Sequence, residues 1–352
     1  MTNLRGTDPQ MPNATTTGES SSAQSSAGPG GGNDNDAGAR FKHLPITLFA
    51  IVMGLSGLAI ALEKAYHLFG GSPLWFRAPL IFSTGLFGVL VYFYGRKWMR
   101  YPEVVAADFF HPVRMHFFPT VSISLLLLSI GYYSYLPVLA VPLWFLGAGL
   151  QAGLTFFIFS YWIRHNFEIQ HANPAWFIPI VGNIIIPIVG VDIVGNQVAM
   201  FFFVVGLFFW VILFAIVLYR IIFHHQLPDK FVPTLFILIA PPAVGFISYL
   251  RITQNVDVIA LALLFIGYFF TILVFLMANS FWRLKFFVSW WAFTFPLDAI
   301  TIASLAAYQA TREPFYAVVS ILLLTITVVV IGIVSVETLK QVRRGAICVP
   351  EA

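Results

Sequence analysis

The chain has 352 residues, 59% of them hydrophobic and only 10% charged, with mean hydropathy +0.85. Water-soluble domains carry about a quarter charged residues, so a chain this apolar cannot hide its surface in one water-facing domain, and its solvent is lipid. The formal charge of +4 and pI near 9.2 would suit a nucleic-acid partner, but the placement of the charges assigns them to membrane topology, and the single cysteine, Cys348, excludes an internal disulfide and a cysteine-based metal cluster.

Residues 1–39 are rich in Ser, Gly, Asn and Thr and nearly free of large apolar side chains. Such a segment cannot offset the entropy of ordering, so it reads as a disordered tail. Its serines could accept phosphate, but a bland flexible tail is the simpler account. It lacks a basic start followed by an apolar core, so it is not read as a signal peptide.

From residue 40 to 338 the chain is a series of ten apolar runs: Leu44–Leu62, Leu74–Tyr94, Phe117–Tyr135, Val138–Ile163, Trp176–Val194, Gln197–Tyr219, Phe231–Leu250, Val256–Met277, Phe286–Tyr308 and Phe315–Val336. Each has about 19 residues or more, enough at 1.5 Å per residue to cross a hydrocarbon core of about 30 Å. Lipid offers no partners to backbone groups, so each run is expected to be a transmembrane helix. Residues 339–352 form a short tail.

Ten spans place both termini on one side. With that side in the cytoplasm, fifteen Lys and Arg fall inside and four outside, namely Lys64, Arg77, Arg251 and Arg312. This positive-inside asymmetry supports the count of ten, since a missed span would scramble it. The chain is thus expected to be a multi-pass protein of the inner (plasma) membrane with both termini cytoplasmic.

The odd runs hold the conspicuous prolines: Pro45 at the start of the first, Pro119 in the third, Pro179 and Pro187 in the fifth, Pro233, Pro241 and Pro242 in the seventh, and Pro296 in the ninth. The even runs read as straight, with Pro142 near the outer end of the fourth. Pro119, Pro179, Pro241 and Pro296 recur about every 60 residues, one helical hairpin, a weak internal repeat. A proline frees a carbonyl and bends the axis, and freed groups are tolerated in a membrane only inside protein or against water. The bent odd helices are therefore expected to form an inner ring and the straight even helices an outer one. Whether that ring encloses a pore or a solid bundle stays open at this level.

Three stretches carry a resemblance: FFHPVR (Phe109–Arg114), NPAWFIPIVGNIIIP (Asn173–Pro187) and WWAFTFPL (Trp290–Leu297). Together they resemble the family that joins plant slow-type anion channels, bacterial tellurite-resistance TehA proteins and fungal malate (C4-dicarboxylate) transporters, over essentially the whole membrane region. The resemblance implies an all-α integral membrane protein of five helical hairpins in pseudo-five-fold arrangement, odd helices lining a central pore in each protomer, and homotrimers. It implies small anions as cargo. It also makes Phe295 the gate, a ring that blocks a narrow pore sterically and by dewetting; without it Phe295 would be one of 37 phenylalanines. Asp298 departs from the family pattern, which has a small neutral residue there, and this bears against a simple carry-over of anion selectivity.

Asp298 is the one charged residue deep inside a run, and burying it against lipid would cost at least a few kcal/mol. It lies three residues after Phe295, nearly the same helix face, so it is expected to face the cavity. It could carry a coupling proton, stay ionised and tune the field near the gate, or be a neutral acid with a structural role. Asn183 could donate an amide hydrogen to a passing oxyanion or simply join two helices. No run holds a central Lys or Arg, so anion preference would come from a basic vestibule, unless those residues only satisfy topology. The eight histidines lie in loops or near run ends, unlike a haem bundle. His111 and His116 form no strong metal signature, and nothing resembles an ATPase domain. No enzyme activity, cofactor or nucleic-acid partner is expected. The favoured reading is an anion channel gated by Phe295, with Pro296, Pro119, Pro187, Pro241 and Asn183 shaping the pore. The alternative is a proton-coupled C4-dicarboxylate (malate) or tellurite-related secondary transporter using Asp298. A membrane scaffold or sensor is the third class.

Overall fold

The computed structural model describes residues 41–277 and 285–347. The tail read as disordered, Arg283 and Cys348 lie outside the described residues. Ten helical spans follow one another: Ile46–Phe69 (span 1), Leu74–Arg100 (span 2), Arg114–Tyr133 (span 3), Pro137–Arg164 (span 4), Pro174–Val194 (span 5), Asn196–Phe223 (span 6), Asp229–Thr253 (span 7), Val258–Leu276 (span 8), Val288–Thr311 (span 9) and Pro314–Arg343 (span 10). No strand occurs among the described residues. The protein is an all-helical, multi-pass membrane protein.

Several helices outrun the apolar stretch that announces them. Span 1 continues past Leu62 through Glu63 and Lys64 to Phe69, span 2 carries Arg96, Lys97 and Arg100, and span 10 runs to Arg343, into the segment read as a tail. Charge ends the hydropathy signal at the membrane surface, but the helix continues because long side chains reach water from its last turns. Spans 2 and 4 both carry a proline, Pro79 and Pro142, yet each remains one continuous α-helix.

The odd spans are composite. In span 1 a 3₁₀ turn, Ile46–Leu48, follows Pro45 and leads into the α-helix Phe49–Phe69. In span 3 Arg114–Phe117 is 3₁₀, and Pro119 precedes the α-helix Thr120–Tyr133. Span 7 has a long 3₁₀ stretch, Asp229–Ile239, before the α-helix Ala240–Thr253, with Pro241 and Pro242 in its first turn. Span 9 repeats the pattern with Val288–Phe293 and Thr294–Thr311, Pro296 being third in the α part. Span 5 is broken twice, and Pro187 opens its last α segment. Proline is well tolerated in a first helical turn, where its missing N–H costs no intrahelical bond, so these residues mark where an α-helix restarts.

Composite and continuous spans occupy different places. In the odd spans 72 to 83% of the apolar window is buried within the protein, against 22 to 39% in the even spans. The five odd spans touch in a closed cyclic order, 1 to 3 to 5 to 7 to 9 and back to 1, and each packs along the even span that follows it. Close approach inside the ring needs missing side chains at Gly54 and Gly57 of span 1. A Cβ at Gly54 would collide with the Thr294 side chain, and one at Gly57 with the Asp298 carboxylate.

At one end of the molecule the odd spans begin and the even spans finish, and most described Lys and Arg lie there. It is called the basic end below.

Candidate functional site

Within the ring is a cavity of about 80 Å³ whose walls, among the described residues, come only from odd spans. Span 1 contributes Ala50 and Met53, span 3 Phe117, Thr120 and Ile123, span 5 Phe177, Ile178, Val181, Gly182, Ile184 and Ile185, span 7 Ile237, Ala240, Pro241 and Val244, and span 9 Trp291, Ala292, Phe295 and Pro296. These residues cluster where the 3₁₀ segments hand over to α-helix, so the cavity lies toward the basic end of the ring. Its walls offer almost no hydrogen bonds. The Thr120 hydroxyl donates to the Phe117 carbonyl at 2.5 Å, and the Trp291 indole N–H to Thr338 Oγ1 at 2.9 Å. A cavity needs roughly 10–15 Å³ to admit one water, but the water also needs two to four polar partners. This one has the room and lacks the partners.

The structure brings together some of the expected site residues and separates others. Phe295, half-buried, and Pro296 sit on the cavity wall with Pro241. Pro119 and Pro187 are not wall residues. Asn183 is not one either: its amide donates to Thr155 Oγ1 at 2.8 Å and to the Ile180 carbonyl at 2.7 Å, so it joins helices and is turned away from any passing ion. The expectation that Asp298 faces the cavity is not met. Its carboxylate lies in the seam between spans 9 and 1, against Gly57, fully buried. Three residues on an α-helix turn by about 300°, leaving an offset of about 60°, enough to swing Asp298 from the cavity onto the neighbouring helix. Neither carboxylate oxygen has a hydrogen-bond partner among the described residues. A carboxylate so placed would be an uncompensated buried charge, costly by several kcal/mol, so the geometry suits a neutral acid.

The breaks in span 5 need polar support, and Gln151 of span 4, overlooked in the sequence, supplies it. Its side-chain amide donates to the Pro179 carbonyl at 2.9 Å and accepts from the Ser122 hydroxyl at 2.6 Å. Thr155 also donates to Pro179, at 2.7 Å, and the Trp144 indole donates to the Ile186 carbonyl at 3.0 Å. A Gln amid an apolar helix was the visible signal; its meaning depended on a break in a different span.

A second polar cluster lies at the basic end. Lys97, near the end of span 2, is only 1% exposed. Its ammonium donates to the Leu44 carbonyl at 2.9 Å and to Asp108 Oδ2 at 3.0 Å, while Arg114 donates to Asp108 Oδ1 at 2.7 Å. Asp108 belongs to the short helix Pro102–Phe109 between spans 2 and 3. His116, fully buried, stacks on Trp176 at 5.0 Å, while His111 Nδ1 accepts from the Val113 and Arg114 amides. The two histidines thus serve separate local roles, and no three His, Cys, Asp or Glu converge among the described residues.

A family model described as a voltage-dependent anion channel matches residues 43–339, the whole ring of spans. Among curated proteins the chain is 27% identical over 307 residues to an S-type anion channel of Arabidopsis thaliana, covering 84% of this chain and 48% of that protein. It is 27% identical over 303 residues to an uncharacterized transporter of Methanocaldococcus jannaschii, covering 76% of this chain and 86% of that protein. A sulfite efflux pump of Arthroderma benhamiae is 22% identical over 315 residues. The chain spans about half the length of three of the plant channels it matches and most of the length of the archaeal transporter.

Proposed function

The chain belongs to the SLAC1 voltage-dependent anion channel family, and from that premise we propose that it conducts small inorganic or organic anions through the axis of its odd-span ring, with Phe295 as the gate. The observation that carries this reading is the cavity walled by all five odd spans, with Phe295 on its surface. An anion entering it would shed water and find apolar walls instead of replacement donors, a barrier of the dewetting kind. Moving one phenyl ring aside widens the narrow zone without disturbing the ring of helices. No carboxylate stands among the described residues of the cavity wall, and the Lys and Arg at the basic end would concentrate anions at that mouth. The basic end is cytoplasmic, in the plasma membrane, and the assembly is a homotrimer with one pathway per protomer. The test is bilayer recording of purified protein. Phe295→Ala raises basal anion current on the order of tenfold, which corresponds to about 1.4 kcal/mol off the barrier. Unchanged current from well-folded variant protein removes Phe295 as the gate.

A second reading, proton-coupled transport of an oxyanion or dicarboxylate, draws on one observation: Asp298 is fully buried with both oxygens unpartnered. A neutral acid in the seam between spans 1 and 9 can release its proton only if that seam opens, so protonation and helix movement are tied. In proteoliposomes this reading expects electroneutral malate or sulfite uptake driven by a pH gradient and abolished by Asp298→Asn. Ohmic currents indifferent to that substitution leave the channel reading alone.

A further inference from the structure

Span 6 presses a stripe of side chains inward. Phe203, Gly206, Trp210, Leu213 and Val217 are buried at alternating spacings of three and four, and Gly206 lies against Ile184 of span 5. Arg220 is the next member of that stripe. It is only 4% exposed. No hydrogen bond or ion pair reaches its guanidinium among the described residues, and Nε and Nη1 are both buried without a partner. Asp298 shares this lack of partners but can become neutral by taking up a proton. A guanidinium has no such exit, because it stays protonated in proteins. A permanent charge sealed between helices is costly unless an anion accompanies it. Lys97, the other buried Lys or Arg among the described residues, has Asp108 for that purpose. Arg220 has no carboxylate.

We propose that Arg220 anchors a phosphate-type anion at the basic end of span 6. Both bidentate edges of the guanidinium, Nε with Nη2 and Nη1 with Nη2, are open to it, and each matches two neighbouring oxygens of a phosphate. Depth points to the same ligand. Span 6 has 28 residues, about 42 Å of helix against a hydrocarbon core of about 30 Å. Arg220 is the fourth residue from its end, so it lies at the level of lipid phosphates and not of acyl chains. Tyr219, Ile222 and Phe223 of the same turn are exposed and offer a surface along which acyl chains can run. The anion is either the phosphate of a lipid headgroup or free phosphate that reaches the guanidinium from the aqueous side. In both cases it completes the seam by which span 6 backs span 5, whose Phe177, Ile178 and Val181 line the central cavity.

Binding is read on purified full-length protein without any flux measurement, so it stands or falls separately from the channel reading. In detergent, inorganic phosphate is titrated against thermal unfolding, with chloride at matched ionic strength as the reference. In parallel, the protein is placed in nanodiscs of phosphatidylcholine alone or with phosphatidic acid, and retained lipid is counted by native mass spectrometry. Arg220→Met fills the seam with an unbranched apolar side chain. Arg220→Lys keeps the charge but loses the planar fork, and it carries the test if Arg220→Met does not fold. Lys230→Gln removes an exposed charge at the same end and is expected to behave as wild type. A saturable phosphate shift that weakens about tenfold in Arg220→Lys and vanishes in Arg220→Met supports a free-ion site. Retention of phosphatidic acid that falls in Arg220→Lys and is lost in Arg220→Met, with no phosphate shift, supports a headgroup site. If wild type and both Arg220 variants behave alike in the two assays, or if Lys230→Gln weakens the responses as much as they do, the proposal is overturned.

Discussion

Spans 9 and 10 are consecutive in the chain and pack against each other, yet they obey opposite rules. Span 10 is the more apolar, with mean hydropathy 3.0 against 1.2, and the more exposed, with 28% of its window buried against 83%. Span 10 is one continuous helix; span 9 changes from 3₁₀ to α at Thr294 and carries Pro296, Asp298, Thr301 and Ser304. Spans 5 and 6, and spans 7 and 8, show the same inversion. In water the apolar face turns inward. In a bilayer the tails are as apolar as leucine, so hydropathy does not drive helices together, and packing with hydrogen bonding does. Polar groups and broken backbone go inside because only there do they find partners.

The contrast can be broken most severely at glycine. Gly57→Leu on span 1 drives a side chain into the Asp298 carboxylate, whereas Gly332→Leu on span 10 enters open space. Overpacking of this kind costs about 1–3 kcal/mol or more, and here no flexible neighbour can withdraw without opening the ring. The expected result is loss of the monodisperse size-exclusion peak for Gly57→Leu and an unchanged peak for Gly332→Leu. Equal tolerance at both positions would mean that the ring is not tightly packed.

A middle-sized effect sharpens the role of polar support. Gln151→Leu leaves the Pro179 carbonyl with Thr155 alone and strips the Ile178 carbonyl of a weaker contact at 3.3 Å. Buried groups left short of partners cost about 1–3 kcal/mol, read as a lowered unfolding midpoint in detergent. Thr325→Val, on the exposed face of span 10 where the hydroxyl only back-bonds to Ile321, is expected to leave that midpoint unchanged within error.

The smallest effect concerns the ion pair Lys340–Glu337, exposed near the end of span 10. Lys340→Ala is expected to change stability by less than about 0.5 kcal/mol, as for other surface pairs. Asp108→Asn, which leaves Lys97 buried without its carboxylate, is expected to lower the same midpoint by about 3 kcal/mol in free-energy terms.

The central fold was legible because the bilayer leaves few choices. Ten long apolar runs had to be helices, and alternating basic residues had to mark one end. Prolines concentrated in odd runs pointed to the composite spans, although Pro79 and Pro142 show that a proline in the early turns of an outer helix does not interrupt it. The candidate site was legible in part. Phe295, Pro296 and Pro241 were singled out and stand on the cavity wall. The sequence leaves Asn183 open between a passing oxyanion and a helix contact, and the structure shows the contact, with Thr155 and the Ile180 carbonyl, because a lone amide does not reveal which partners await it. Lys97 looked like an ordinary interfacial lysine until the short helix carrying Asp108 folded back over it.

What the amino-acid order determined by itself is therefore everything that depends on local length and solvent: the spans, their helical state, and which of them must be sheltered. What only the tertiary structure decided is direction. It decided that Asp298 turns to Gly57 while Phe295 one turn earlier turns to the cavity, and that Lys97 and Arg114 meet on Asp108 at the basic end. The reason is geometric. Helical rotation, changed at each junction of 3₁₀ and α segments, sets where a side chain points, and only the packed neighbours decide what it meets there.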